Sequence, residues 1–263
     1  MELSIVINCS DDLHVFETIK SIEEDVEIIC SITPNKAIEE RLLALKIPYV
    51  ITPKGSQSVT TNAGINLVTN NKFILMDSDC YFEKGFIDEI FELLNKYDVV
   101  NGNIVFDSDN NILSKAISKC KKHDDTHDDL IHKPGLGIKK SILNDIGNYW
   151  FDEQMKWSED SELSFRITNS DLKVCWKTTH SIHHLPTSYS HNLKSCFSYG
   201  TGDYYRFAIL KQYYNNENFV NYELKRYKKL LKQFNFFEFV IMLTNDIAYH
   251  IGYLIGFFKY RKD

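Results

Sequence analysis

Phe73-Ile74-Leu75-Met76-Asp77-Ser78-Asp79 is the stretch on which the reading of this chain turns. Four consecutive apolar residues form a run short enough for a buried strand. Two carboxylates then follow at i and i+2, at the C-terminal end of that strand, where open α/β sheets bind their ligands. Acids so placed converge on a hard cation and the diphosphate it carries. An ordinary acidic turn has the same composition. The weight of Asp77 and Asp79 therefore depends on two later segments, Trp157-Ser158-Glu159-Asp160 and Ile182-His183-His184.

Outward from this strand the chain alternates in type. Strands are expected at Leu3–Asn8, Val26–Ile32 and Tyr49–Ile51, and helices over 11–24, Ile38–Leu45, Val59–Thr69 and Gly85–Leu94. In the first helix Leu13, Phe16, Ile19 and Ile22 recur at three-residue steps and mark one apolar face. Such alternation implies parallel βαβ units and an α/β fold. Further on, strands are expected at Asp98–Phe106, Gly135–Ile138 and Lys173–Trp176, with helices at Lys140–Ile146, ended by Gly147, and Ser158–Ile167. The charged stretch His123–Asp129 has no periodicity and reads as solvated loop rather than a metal cluster. From Cys196 onward the chain is expected to be helical and rich in Tyr and Phe.

With 263 residues, 43% of them hydrophobic, the chain can bury one large core with an appendage. A net charge of −6 argues against a nucleic-acid partner, which needs a basic face. That charge is uneven: residues 222–263 carry eight Lys/Arg against four acids, a net +4 on a body of −10. Six scattered cysteines without a Cys-x-x-Cys pair read as buried thiols of a reducing compartment. Met1–Ile7 reads as strand, not signal peptide, which gives a cytoplasmic expectation, with peripheral attachment to the membrane face.

Four segments in order resemble the family 2 glycosyltransferases of GT-A fold. They are the opening strand pair, Lys54-Gly55-Ser56-Gln57 leading to Asn62-Ala63-Gly64, the Asp77-Ser78-Asp79 strand, and Glu159-Asp160-Ser161-Glu162-Leu163-Ser164-Phe165-Arg166. The last is also similar to a helix of galactosyl- and N-acetylgalactosaminyltransferases. The resemblance covers residues 1 to about 190 and implies a GT-A catalytic domain over 1–195, followed by a helical tail over 196–263. It implies a nucleotide-sugar donor, a UDP-sugar, and a saccharide or lipid-linked acceptor. Asn8, Thr33, Asn35, Lys54, Asn62, Asp77, Ser78 and Gly137 are the donor-binding candidates.

The chemistry of sugar transfer fits these residues. A leaving diphosphate is neutralised by Mn²⁺ or Mg²⁺ on oxygen ligands. Asp79 is the first candidate ligand, while the resemblance puts Asp77 on the ribose or a metal-bound water. A base must take the acceptor proton. Asp160 is placed for this at a helix N-terminus, where the dipole favours an anion, and Glu159 orients it or holds an acceptor hydroxyl. One evident base without a second nucleophile implies inversion. Similar proteins also place a histidine as a third ligand or diphosphate contact, here His183 or His184. His184 is preferred because it shares the side of Ile182 on an extended segment.

The chain departs from the pattern in four places, one of them Cys80, which stands where an Asp or small residue is common and reads as packing. Asn8-Cys9-Ser10 replaces a Pro-Thr turn, Thr33-Pro34-Asn35 replaces Asp-Asp-Gly-Ser, and Thr61 stands where Arg is usual, leaving Lys54 as the cation near the diphosphate. Two other classes share parts of this pattern. A sugar-1-phosphate nucleotidyltransferase needs a basic, Gly-rich loop after the first strand, and Asn8–Asp12 has none. A non-catalytic sugar-nucleotide-binding protein would not need Asp77, Asp79 and Asp160 together. In the tail, Phe234–Phe258 contains Glu238, Asn245, Asp246 and His250. That polarity argues against a spanning helix and for one lying on an anionic membrane surface, or packed on the catalytic domain. Gly252 and Gly256 mark a close-packing patch within it.

Overall fold

The computed structural model describes residues 1–10, 12–124, 130–212 and 233–260, with backbone alone at 123–124. The expectations for Asp11, for the side chains of His123 and Asp124, for 125–129, for the basic run Lys225–Lys232, and for Arg261 and Lys262 fall outside the described residues. Those residues divide into two compact units. One comprises 1–105 and 130–185, the other 106–124 and 186–260.

The first unit is an α/β layer structure. Its strands are β1 (Ser4–Cys9), β2 (Glu27–Ile32), β3 (Tyr49–Ile51), β4 (Lys72–Asp77), β5 (Cys80–Phe82), β6 (Val99–Val100), β7 (Asn103–Phe106), β8 (Leu136–Lys139), β9 (Val174–Cys175) and β10 (Ser181–His184). Seven of them form a sheet in the order β3-β2-β1-β4-β8-β6-β9, in which β3, β2, β1 and β4 run parallel. The register sets Asn8 of β1 beside Ser31 of β2 and Asp77 of β4, so three strand ends open together. Strand order reverses between β1 and its two neighbours, which makes that edge the ligand crevice of an open sheet.

Helices α1 (Val15–Lys20), α2 (Lys36–Ala44), α3 (Gln57–Asn66), α4 (Phe86–Leu93) and α6 (Glu159–Thr168) belong to this unit; α5 (Ile112–Asp124) belongs to the second. Val6, Ile29, Phe73, Leu75, Ile138, Phe151 and Leu163 share one core, with the Trp150 ring edge-on to Phe73 at 5.3 Å. Helix α3 lies close on β1 and β2 because Gly64 has no side chain: a Cβ there would sit 2.6 Å from Val6 Cγ1. Among the described residues the six cysteines form no disulfide, and four of them are buried. Burial pushes the Cys30 thiol up to about 12.

Several elements differ from the sequence reading. The strand expected over Asp98–Phe106 is two strands, with β6 in the large sheet and β7 in a second sheet ordered β5-β10-β7. The break falls at Asn101-Gly102. A Cβ on Gly102 would lie 2.6 Å from the Gly135 carbonyl oxygen, so the crossing between sheets requires glycine. The helix expected over 11–24 is confined to Val15–Lys20, and that over Lys140–Ile146 is a single 3₁₀ turn, Lys140–Asn144. Gly147 closes that turn region at φ 95°.

The second unit is helical. It contains α5, then α7 (Tyr189–Tyr204), which passes into a π turn at Tyr205–Ile209, then α8 (Phe236–Tyr260). Ser188 caps α7 by accepting from the His191 N–H. Helix α7 spans the boundary expected at residue 195. Ala116, Ile117 and Cys120 of α5 share a small core with Phe234, Ile241 and Met242. Helix α8, with 25 residues and an 18-residue window of mean hydropathy 1.2, is long and apolar enough to cross a membrane by length and composition.

Candidate active site

The Asp77-Ser78-Asp79 turn is held from beneath. Ser78 N–H donates to the Asn8 carbonyl at 3.0 Å, and the buried Thr18 hydroxyl donates to the carbonyls of Ser78 (3.0 Å) and Cys80 (2.6 Å). Ser31 Oγ donates to Asn8 Oδ1 at 3.2 Å, tying the β1 end to β2. These contacts fix the direction in which the two acids leave β4.

Asp77 ends beside Lys133, which the sequence reading did not single out. The Lys133 ammonium is 3% exposed and lies 3.1 Å from Asp77 Oδ1, 3.3 Å from Glu159 Oε1 and 2.7 Å from Gln57 Oε1. Its three protons thus face three oxygens from β4, α6 and α3. Burial alone would lower its pKa, but the charges of Asp77, Glu159 and Asp160 outweigh that and raise it. Lys133 therefore stays charged. Burial also raises the carboxyls of Asp77 and Glu159, against the pull of Lys133.

Glu159 and Asp160 open α6. Ser158 precedes them at φ 60°, a left-handed conformation that costs a non-glycine residue on the order of 1–3 kcal/mol. Glu159 is buried at 4% exposure and bound to Lys133. Asp160 is half-buried, and its Oδ1 accepts from the Ser161 N–H at 2.8 Å. Of the two acids, Asp160 is the one a ligand can reach. Further along, buried Glu162 pairs with Arg166 at 2.7 Å, and Arg166 also donates to the carbonyls of Ile146, Tyr149 and Trp150. Arg166 thus anchors the loop before α6.

On the other side of the turn, Asp79, Cys80 and His184 each offer a ligand atom, all within 4.8 Å of one another. Strand β10 pairs with β5 so that His184 opposes Cys80 and His183 opposes Tyr81. His184 Nδ1 lies 2.7 Å from the Leu185 carbonyl oxygen, which only accepts, so Nδ1 carries the proton. In the neutral ring Nε2 then bears the lone pair, and it faces Asp79 Oδ2 at 3.5 Å. A lone pair opposite a carboxylate is matched by a cation between them, or by ring protonation. A second-shell carbonyl on the remote nitrogen is the usual support of a metal-ligating histidine. The Cys80 thiol is oriented to Asp79 Oδ1 at 3.7 Å, which leaves Asp79 and His184 as the donor pair. Carboxylate plus imidazole fits Mn²⁺ well, and Mg²⁺ less well.

Several candidates lie elsewhere. His183 points away from this cluster and stacks on Tyr81, with centroids 4.9 Å apart. Asp77 is not in the three-atom cluster and pairs instead with Lys133. Thr33 donates its hydroxyl to the Ser10 carbonyl. Asn35 caps α2, accepting from the N–H groups of Ala37 (3.1 Å) and Ile38 (3.4 Å). Asn62 is bound to the Phe151 backbone in both directions, at 2.9 and 3.1 Å, and holds the loop before α6. Lys54 is exposed in the loop before α3. Gly137 is a packing position: it lies in mid-sheet opposite Ile74, and a Cβ there would meet Ile90 Cγ2 at 2.6 Å.

No family model matches the chain, and no curated protein matches it in sequence. Solved structures do. The 1–349 form of S. aureus TarS, crystallised with UDP-GlcNAc, superposes with a TM-score of 0.54 at 12% identity, over 93% of this chain and 79% of that one. The same form with UDP gives 0.51 at 10% identity, over 100% and 92%. A longer TarS structure gives 0.52 at 12% identity, over 80% of this chain and 44% of that one. At such identities the likeness concerns architecture alone, and the architecture is the GT-A fold.

Proposed function

We propose that this chain is an inverting glycosyltransferase that moves a sugar from a nucleoside diphosphate, a UDP-sugar, to the hydroxyl of a free or lipid-linked saccharide. One observation carries the reading: Lys133 binds Asp77 at the end of β4 and Glu159 at the start of α6. The donor-side Asp77 and the start of α6, where the candidate base Asp160 follows Glu159, are thereby tied to one buried cation. The crystallised complexes of the neighbour with UDP-GlcNAc and UDP support the choice of donor.

In this reading Asp79 and His184 hold Mn²⁺ or Mg²⁺, which when bound supplies charge to neutralise the departing diphosphate. Asp77, with Asn8 and Ser78 fixing its backbone, orients the ribose end of the donor. Glu159 stays on Lys133 and sets the start of α6. Asp160, the more accessible acid, takes the proton from the acceptor hydroxyl as its oxygen attacks the anomeric carbon. The C–O bond to the diphosphate breaks on the opposite face, which inverts the configuration.

The test is incubation of the full chain with a panel of UDP-sugars, Mn²⁺ and simple saccharide acceptors. Release of UDP with a product of inverted anomeric configuration, read by NMR, is expected. Release of pyrophosphate in a parallel incubation with sugar 1-phosphates and UTP, without transfer from UDP-sugars, would establish a nucleotidyltransferase instead.

A further inference from the structure

Helix α8 has its polarity turned inside out. Phe236, Val240, Ile247, Ile251, Leu254 and Phe258 recur at helical spacing on its outward side, with exposures from 37% at Val240 to 84% at Phe236. Among the described residues that are exposed on α8, only His250 and Lys259 are polar. The side facing α7 is the polar one. Asn245 Oδ1 accepts from Asn192 at 2.7 Å, Tyr249 donates to Asp203 at 2.8 Å, and Thr201 donates to the Gly252 carbonyl at 3.1 Å. A surface helix in water shows the reverse pattern.

The contact with α7 is also glycine-mediated. A Cβ on Gly252 would fall 1.9 Å from the Phe197 carbonyl oxygen, and one on Gly200 would fall 1.9 Å from that of Tyr249. Small residues and hydrogen-bonded polar groups within the contact, and apolar side chains outside it, suit helices whose outer surroundings are hydrocarbon. The sequence adds charge at both ends: Lys225, Arg226, Lys228, Lys229 and Lys232 before the helix, and Lys259, Arg261 and Lys262 at its end.

We propose that α8 seats its outward face on the surface of a phospholipid bilayer rich in anionic headgroups. The apolar stripe enters the acyl boundary, and the flanking cations meet lipid phosphates. A second copy of this chain would cover the stripe equally well, but it brings a second tail of net charge +4 over residues 222–263, like charge against like. The helix lies in the interface and does not cross. Helix α7 runs beside it and exposes Ser190, His191 and Lys194, which a crossing would carry into hydrocarbon. This attachment is independent of the reaction proposed above.

Flotation of the full chain with phosphatidylcholine vesicles, with and without phosphatidylglycerol, tests it. The control is the double variant Ile247→Glu, Leu254→Glu, whose altered side chains are exposed and leave the α7 contact intact; an unchanged thermal melt checks this. The native chain is expected to float with phosphatidylglycerol vesicles and to be released by salt, and the variant to lose about tenfold or more in bound fraction. Equal flotation of both proteins, or equal binding to pure phosphatidylcholine, overturns the proposal. So does a dimer, seen by light scattering without vesicles, that the variant dissociates while neither protein floats. Retention through an alkaline carbonate wash would show a crossing helix and overturn the surface-lying arrangement.

Discussion

His184 turns its Nε2 toward Asp79 Oδ2, 3.5 Å away, while its Nδ1–H is committed to the Leu185 carbonyl. The Leu185 N–H returns a bond to the Asp79 carbonyl at 2.9 Å, so the two residues are stapled through backbone as well as side chain. In the proposed reading such an arrangement would orient the two ligands before an ion arrives. His184→Ala is therefore expected to weaken Mn²⁺-dependent binding of a UDP-sugar by more than about tenfold. His183→Ala, which removes the stack on Tyr81 outside the Asp79–His184 cluster, is expected to leave that affinity unchanged. Calorimetric titration of both variants with and without Mn²⁺ decides the matter, and equal losses would remove His184 from the ligand set.

Lys133 carries a second expectation. Removing its ammonium leaves Asp77 and Glu159 facing each other without their shared cation. Breaking a buried pair from one side typically costs about 3–5 kcal/mol. Lys133→Met should lower stability by that order in urea unfolding at neutral pH. Adding Glu159→Gln to it should restore part of the loss, since one of the stranded charges is then gone. A double variant as unstable as the single one would mean that packing, not charge, is what Lys133 contributes.

How much of this was readable in the sequence depends on which partner each residue has. Asp77 and Asp79 were legible because the apolar run before them fixes both burial and strand direction. Lys133 was not, since a lone lysine in Ile131-His132-Lys133-Pro134-Gly135 resembles any loop cation; only its place between buried Ile131 and Leu136 hinted at burial. Asn35 and Asn62 were legible as important but not in role. An amide side chain bonds its own backbone as readily as a nucleotide, and here one caps α2 and the other holds Phe151. Helix α5 was missed because Ser114, Lys115, Ser118 and Lys119 obscure its apolar face of Ala116, Ile117 and Cys120. The polar residues of α8 were visible in the sequence, but not the side of the helix they occupy, which only the hydrogen bonds to α7 reveal.

Glu89 supplies a pH dependence away from the acidic cluster. Burial raises its carboxyl, but bonds from the Thr179 and His180 N–H groups and the His180 ring together hold it below the ordinary glutamate value. The folded chain thus binds fewer protons here than the unfolded chain between those two values. The stabilisation is fully present above the unfolded pKa and is lost as pH falls through the folded one. Glu89→Gln should therefore be less stable than the native protein at pH near 7, with the difference shrinking steadily under acid conditions. Urea midpoints of both proteins across that range measure it, and a gap that widens toward acid pH would contradict the assignment.

The last expectation separates the two acids at the start of α6. Both lie near Lys133, but only Glu159 touches it, at 3.3 Å, and Glu159 is the buried one. Asp160 is more accessible, and the Ser161 N–H holds one of its oxygens. A base must reach an acceptor proton, so in the proposed mechanism the more accessible Asp160 takes the role and Glu159 is a positioning part. Asp160→Asn should then keep the native melting temperature and donor affinity while transfer falls by about two to four orders of magnitude. Glu159→Gln should behave differently, disturbing stability through Lys133 and lowering transfer less. Turnover and thermal melts of the two variants, measured side by side, read both effects. If Asp160→Asn transfers sugar at the native rate while Glu159→Gln is inactive but well folded, the roles are exchanged.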